Sequence, residues 1–288
     1  LFCKVFICKV SKKGINLLLL RSNRKFIKSV FMDIHTQLKR VTMFLADYAA
    51  TLMAVGTQTS RVARNTGRIA ESFGFHSHIM LFSRNVIITL QDDEGRHSYT
   101  RVQKLPALGL NFATNMNLSK LSWRAYDEHL QLEQLETEFK EIRDKKRESP
   151  WTVLILVSFA NACFCRLFNG DIVAVATVWV ATFVGFYIRQ QLTKLHWRQL
   201  AVFIVSSFVA SMIGSTGYLC HWGTTPDMAL GTSMLYLVPG VPLINGIMDI
   251  IDGHVLAGTS RLINACMLII CIAIGLSIAL FVTGIKVM

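Results

Sequence analysis

Tyr236-Leu-Val-Pro-Gly-Val-Pro-Leu-Ile-Asn-Gly-Ile-Met-Asp-Ile-Ile-Asp-Gly-His254 decides how the chain is read. The stretch lies in an apolar run long enough to cross a bilayer. It nevertheless holds two prolines, three glycines, an amide and two carboxylates. Pro239 and Pro242 have no N–H, so the carbonyls of Leu235 and Val238 lose their helical partners. Unpaired backbone at membrane depth is tolerated only inside protein or beside water. Asn245, Asp249 and Asp252 follow at i, i+4 and i+7 and share one face of the continuing helix. The plain alternative is a proline kink in a structural span, its two aspartates capping the end. Ionisable groups at this depth are costly and face a bundle interior or a wet cavity. The cluster as a whole is therefore read as a functional break.

Around this break the second half of the chain is a series of apolar spans at about 151–167, 172–188, 200–219, 229–251 and 262–285. Each is close to the ~17–25 residues that a bilayer core requires. Phe168-Asn-Gly-Asp171 is so tight a turn that the first two spans form an antiparallel hairpin. The totals agree: 52% of the 288 residues are hydrophobic, and the mean hydropathy is +0.43. The formal charge of +12 belongs mostly to the other half. Residues 1–31 carry eight basic and no acidic residues, whereas 32–150 carry 16 basic and 14 acidic. A nucleic-acid partner would rest mainly on that leader and is rejected. The stretch 1–31 is read as a basic leader or a mis-assigned start, with Met32 as the expected first residue. The seven cysteines are scattered and odd in number. They suit apolar fillers of membrane helices better than a disulfide frame or a zinc site.

Residues 32–150 read as an α+β domain. Leu38, Val41, Leu45, Leu52 and Val55 recur at helical spacing. After Gly56, Arg61, Arg64 and Arg68 line one helix face. Such a row can meet an anionic solute or lipid, or be a solvated face. The runs 76–82, 85–90 and 97–104 read as strands around the turn Gln91-Asp-Asp-Glu-Gly95. His76 and His78 alternate on one strand, but no acidic or cysteine ligands complete a metal set. Two helices follow Pro106, the second from about Tyr126 to Arg147. Phosphate-loop, G-x-S-x-G and H-E-x-x-H motifs are absent, so neither enzyme nor cofactor is expected.

Loop charge sets orientation. Lys140, Arg143, Lys145, Lys146 and Arg147 precede the first span, and Arg189, Lys194 and Arg198 flank the link between the second and third. The link between the third and fourth has no Lys or Arg. The bias places the N-terminal domain in the cytoplasm and Met288 outside. The expected fold is an α-helical polytopic membrane protein with five transmembrane helices (151–288), preceded by a cytoplasmic α+β domain (32–150).

Val238-Pro-Gly-x-Pro-Leu-x-Asn-x-x-x-Asp249, with Gly253-His254, Gly258 and Arg261, resembles the signature span of the threonine/serine exporter family. Ala162-Cys-Phe-Cys-Arg-Leu-x-Asn-Gly170, Tyr187-Ile-Arg-Gln190 and the stretch from Gly56 to Gly95 are similar to its YjjP-like members. The resemblance covers about residues 35–288. It implies an inner-membrane exporter of threonine, serine or a dicarboxylate such as succinate. It also implies that a five-span chain works with a separate YjjB-like membrane subunit, and a half of opposite orientation would complete an inverted repeat.

The expected route for solute and proton comprises Pro239, Gly240, Pro242, Asn245, Asp249, His254 and Arg261. Asp249 is the coupling carboxylate, because burial raises a carboxylate's pKa toward values where it loads and releases a proton. Asn245 and the freed carbonyls bind ammonium or hydroxyl groups. Gly240 and Gly246 allow close helix approach. His254 and Arg261 neutralise a solute carboxylate. Asn161 and Arg166 in the first span are secondary candidates, as are Arg61 and Arg64. The rival reading is a membrane-anchored sensor or scaffold whose N-terminal domain carries the activity.

Overall fold

The computed structural model describes residues 35–145 and 148–285. The expected leader at 1–31 lies outside the described residues, as does Met32. The chain divides into two compact units at Asp144/Lys145.

The first unit has the order α1 (35–54), α2 (Thr59–Ser72), β1 (Phe75–Leu81), β2 (Asn85–Asp92), β3 (Ser98–Lys104), α3 (Phe112–Asp127) and α4 (Leu132–Asp144). In α1, Leu38, Val41, Leu45, Tyr48 and Leu52 are fully buried. Their three- and four-residue spacing makes one apolar stripe. The strands form an antiparallel sheet in the order β1-β2-β3. Alternation turns Val86, Ile88 and Leu90 of β2 into the same core. At the β2–β3 turn, Asp92 Oδ1 accepts from the backbone N–H groups of Arg96 and His97 at 2.8 and 3.1 Å. The bond from His97 chiefly holds the Asp92 carboxyl below its usual range. Tyr48 donates to the Leu118 carbonyl at 2.8 Å, and burial pushes its phenol well above the usual value.

The two helices expected after Pro106 are present, but the second starts at Leu132, not at about Tyr126. Helix α3 runs on to Asp127, His129 turns in the left-handed region (φ 49°), and α4 starts at Leu132. Gln134 caps the new start by accepting from Gln131 N–H at 3.1 Å. Arg124 closes the corner, pairing with Glu128 at 3.2 Å and with Glu138 of α4 at 2.6 Å.

The second unit comprises α5 (Pro150–Leu167), α6 (Ile172–Lys194), α7 (Gln199–Gly214), the short α8 (Thr216–Leu219), α9 (Pro226–Ser233), a 3₁₀ turn (Leu235–Leu237), α10 (Gly240–Ile251) and α11 (Val255–Thr283). Among the described residues, four helices are long and apolar enough to cross a membrane: α5, α6, α7 continued by α8, and α11. The pair Pro226–Leu237 and Gly240–Ile251, bent by 64°, brings the number to five when it is taken as one span. Pro150 opens α5 in its first turn, where its missing N–H costs no helical bond.

Asp171 organises one end of this unit. It caps α6 by accepting from Ala174 N–H at 2.8 Å. It also accepts from the backbone N–H of Thr224 at 2.7 Å and the hydroxyl of Thr225 at 3.0 Å. The α5–α6 turn and the lead-in to α9 therefore meet at the same end. The backbone donors of Thr224 and Ala174 are the main reason the Asp171 carboxyl lies below its ordinary range.

Candidate functional site

The break in the fourth crossing follows from its prolines. Val238 precedes Pro239 and is extended (φ −60°, ψ 125°), as crowding by a proline ring demands. Pro239 is the N-cap of α10, and Pro242 lies in its first turn. Both prolines thus stand where a helix has no N–H partner to lose. From Pro226 to Leu237 the first limb rises roughly 18 Å at 1.5 Å per residue. That is more than half the thickness of a ~30 Å hydrocarbon core.

The carbonyls expected to be bare are bonded here. Leu235 O accepts from Val238 N–H at 3.1 Å, and Val238 O accepts from Gly240 N–H at 2.9 Å. A 3₁₀ turn and a tight turn replace the lost helical bonds. Each oxygen keeps a second lone pair, but neither is a stranded acceptor.

Asp249 and Arg261 form the chemical centre. The Asp249 side chain is fully buried, the Arg261 side chain is 17% exposed, and Arg261 Nη1 lies 3.1 Å from Asp249 Oδ2. The pair links α10 to α11 across a corner at Asp252–His254. Gly253 turns that corner with φ +85°, and His254 N–H donates to the Asp249 carbonyl at 2.7 Å. The helices can approach because Gly246 and Gly258 face each other. A Cβ on Gly258 would stand 2.6 Å from Gly246 O and 3.0 Å from Ile250 N. Asn245 is half-buried on α10, whereas Asp252 is exposed at its end. The face expected to carry three polar groups into the interior therefore buries Asp249 most deeply.

Sequence reading missed two features. It gave Arg261 to solute, but not to Asp249. Two opposite charges flanking Gly253-His254 are the signal, and it becomes legible only once the helices fold back there. It also passed over α7. Ser206, Ser207, Ser211 and Ser215 are all fully buried. Ser207 donates to Ile272 O of α11 at 2.8 Å. The hydroxyls of Ser206 and Ser211 have no hydrogen-bond partner among the described residues. Tyr236, just before the break, donates to Ser206 O at 3.5 Å.

The secondary candidates separate. Asn161 is buried and donates to Thr182 Oγ1 at 2.6 Å and to Thr232 O at 2.9 Å, tying α5 to α6 and α9. Arg166 donates to Gly170 O at 3.0 Å and braces the α5–α6 turn. Arg61 and Arg64 are exposed on α2, and Arg64 borders a cleft of the first unit. His76 and His78 are exposed on β1. Among the described residues, no group of three or more His, Cys, Asp or Glu side chains could hold a metal.

The family model described as "Putative threonine/serine exporter" matches residues 43–283. A protein of Klebsiella aerogenes named "Probable succinate transporter subunit YjjP" is 29% identical over 251 residues, covering 86% of this chain and 96% of its own length. The protein of the same name from Escherichia coli K12 is 28% identical over 251 residues, with 87% and 97% covered. "Pheromone-regulated membrane protein 10" of Debaryomyces hansenii is 23% identical over 255 residues, covering 84% of this chain but 24% of that protein. No solved structure matches. The family match takes in most of the first unit and the broken crossing of the second; the chain belongs to the threonine/serine exporter family, membrane transporters rather than enzymes.

Proposed function

We propose that this chain is one half of a two-subunit, proton-linked exporter of a small hydrophilic acid, with the Asp249–Arg261 pair as its coupling element. The carrying observation is a fully buried carboxylate in the second limb of the broken crossing, held at 3.1 Å by a guanidinium of the next helix. A buried ion pair does little for stability, and removing one partner costs about 3–5 kcal/mol. Such a pair is suited to exchange of partners. A proton on Asp249 and the Arg261 guanidinium are alternative ways to neutralise the same carboxylate. A solute carboxylate and Asp249 are alternative partners for Arg261. Binding of proton and solute are thereby linked. The unanswered hydroxyls of Ser206 and Ser211 support a polar route, because buried donors in native proteins are normally bonded. Pro239, Gly240 and Pro242 would hold the bend, Asn245 would meet the solute, and His254 would hold the corner.

The printed names of the relatives favour succinate or threonine and serine as solutes, and "subunit" favours a second, YjjB-like membrane protein. Loop charge supports an N-terminal unit in the cytoplasm of a cell with this protein in its inner membrane. The test is solute flux in vesicles carrying both subunits, with an imposed pH gradient. Asp249→Asn should lower gradient-driven flux at least tenfold. Full proton-driven export by that variant would remove the coupling role.

A further inference from the structure

The first unit contains a cleft of about 770 Å³ between α2, the edge strand β1 and the C-terminal half of α3. Three things distinguish it from an ordinary solvated surface. Arg64 and Arg68 both line it, and they stand about 6 Å apart along α2, four residues at ~1.5 Å each. Arg68 is held in place. Its Nη1 donates to Ser122 Oγ at 2.7 Å and Asn65 Oδ1 at 3.2 Å, and its guanidinium carbon lies 3.5 Å from the centre of the Trp123 ring. A guanidinium held over an indole by two hydrogen bonds has already lost the rotamer freedom that binding would otherwise cost. The opposite wall is the β1 stretch His76-Ser77-His78, with Tyr126 nearby; the His76 imidazole lies 3.3 Å from Asp93 Oδ1. Glu71 is the one carboxylate among the lining residues.

Two arginines one helical turn apart on one cleft wall, one of them held in place, suit a ligand with two oxyanion groups. Carboxylate and phosphate both accept the paired N–H bonds that guanidinium offers. Trp123, 53% exposed, gives the ligand's carbon chain an apolar wall. We infer that this cleft is a binding site for a small organic dianion, a short dicarboxylate or a phosphorylated acid. The site is separate from the Asp249–Arg261 pair, and the inference does not depend on the transport reading.

The experiment is calorimetric titration of the full chain in lipid nanodiscs with succinate, with 3-phosphoglycerate and with acetate. At least one dianion should bind tenfold or more tightly than acetate, and the stronger of the two identifies the source of the second oxyanion. Arg64→Gln and Arg68→Gln should each weaken that binding tenfold or more, and Trp123→Phe should remove a ligand-induced change in tryptophan fluorescence. Arg64 is exposed, so Arg64→Gln decides the matter if Arg68→Gln fails to fold. Two results would overturn the site: neither dianion binds the wild-type chain, or binding survives Arg64→Gln and is lost in Asp249→Asn.

Discussion

Asp249 touches no solvent, and the Arg261 guanidinium lies against its carboxylate. Replacing Arg261 alone takes the guanidinium away from a buried carboxylate, whereas replacing both partners removes both charges. Arg261→Gln should therefore destabilise the protein by about 3–5 kcal/mol, and Asp249→Asn combined with Arg261→Gln should restore most of the loss. Thermal unfolding in detergent reads both. A double variant as unstable as Arg261→Gln would show that the pair is not the source of the cost. In the sequence, Asp249 is visible as a polar residue on an apolar helix. Its partner is not, because the contact depends on a reversal at Gly253 that carries no periodicity. Asn161 shows the opposite case: it stands out as an amide in a span, and the structure uses it to fasten three elements together.

The α10–α11 corner depends on backbone meeting backbone. At Gly258 a methyl group would collide with a carbonyl and an amide nitrogen, neither of which can turn aside. Gly258→Ala should part the helices, cost about 1–3 kcal/mol as other overpacked sites do, and weaken the Asp249–Arg261 contact. Unfolding and gradient-driven flux should fall together; unchanged flux in the variant would detach the crossing from function. The break itself is legible because proline restricts both itself and the residue before it. The bonding of its carbonyls is not, because the sequence does not say that a 3₁₀ turn would take over from the α-helix. The start of α11 is hidden for a related reason. His254, Ser260 and Arg261 are polar, so hydropathy delays the span to about residue 262, while the helix begins at Val255.

At the scale of the whole chain, the two halves differ in composition and in architecture. The strands of the first unit are legible from alternation, and the spans of the second from apolar length. The cleft in the first unit is not, although Arg64, Arg68, His76 and His78 each stand out, because a helix and an edge strand bring them together. Orientation rests on loop charge. A reporter fused after Met288 should be active only outside the cytoplasm; activity inside would reverse the assignment. In that arrangement Asp171 and Thr224–Thr225 lie at the outer end.

Asp171 acts as a rivet. It fixes the beginning of the α9 limb to the turn of the neighbouring hairpin, while Asn161 grips the same limb at Thr232 and Tyr236 ties its end to Ser206. A lever clamped along its length can flex only past its last clamp. Flexing of this crossing is therefore expected at Val238–Gly240, next to the limb that carries Asp249.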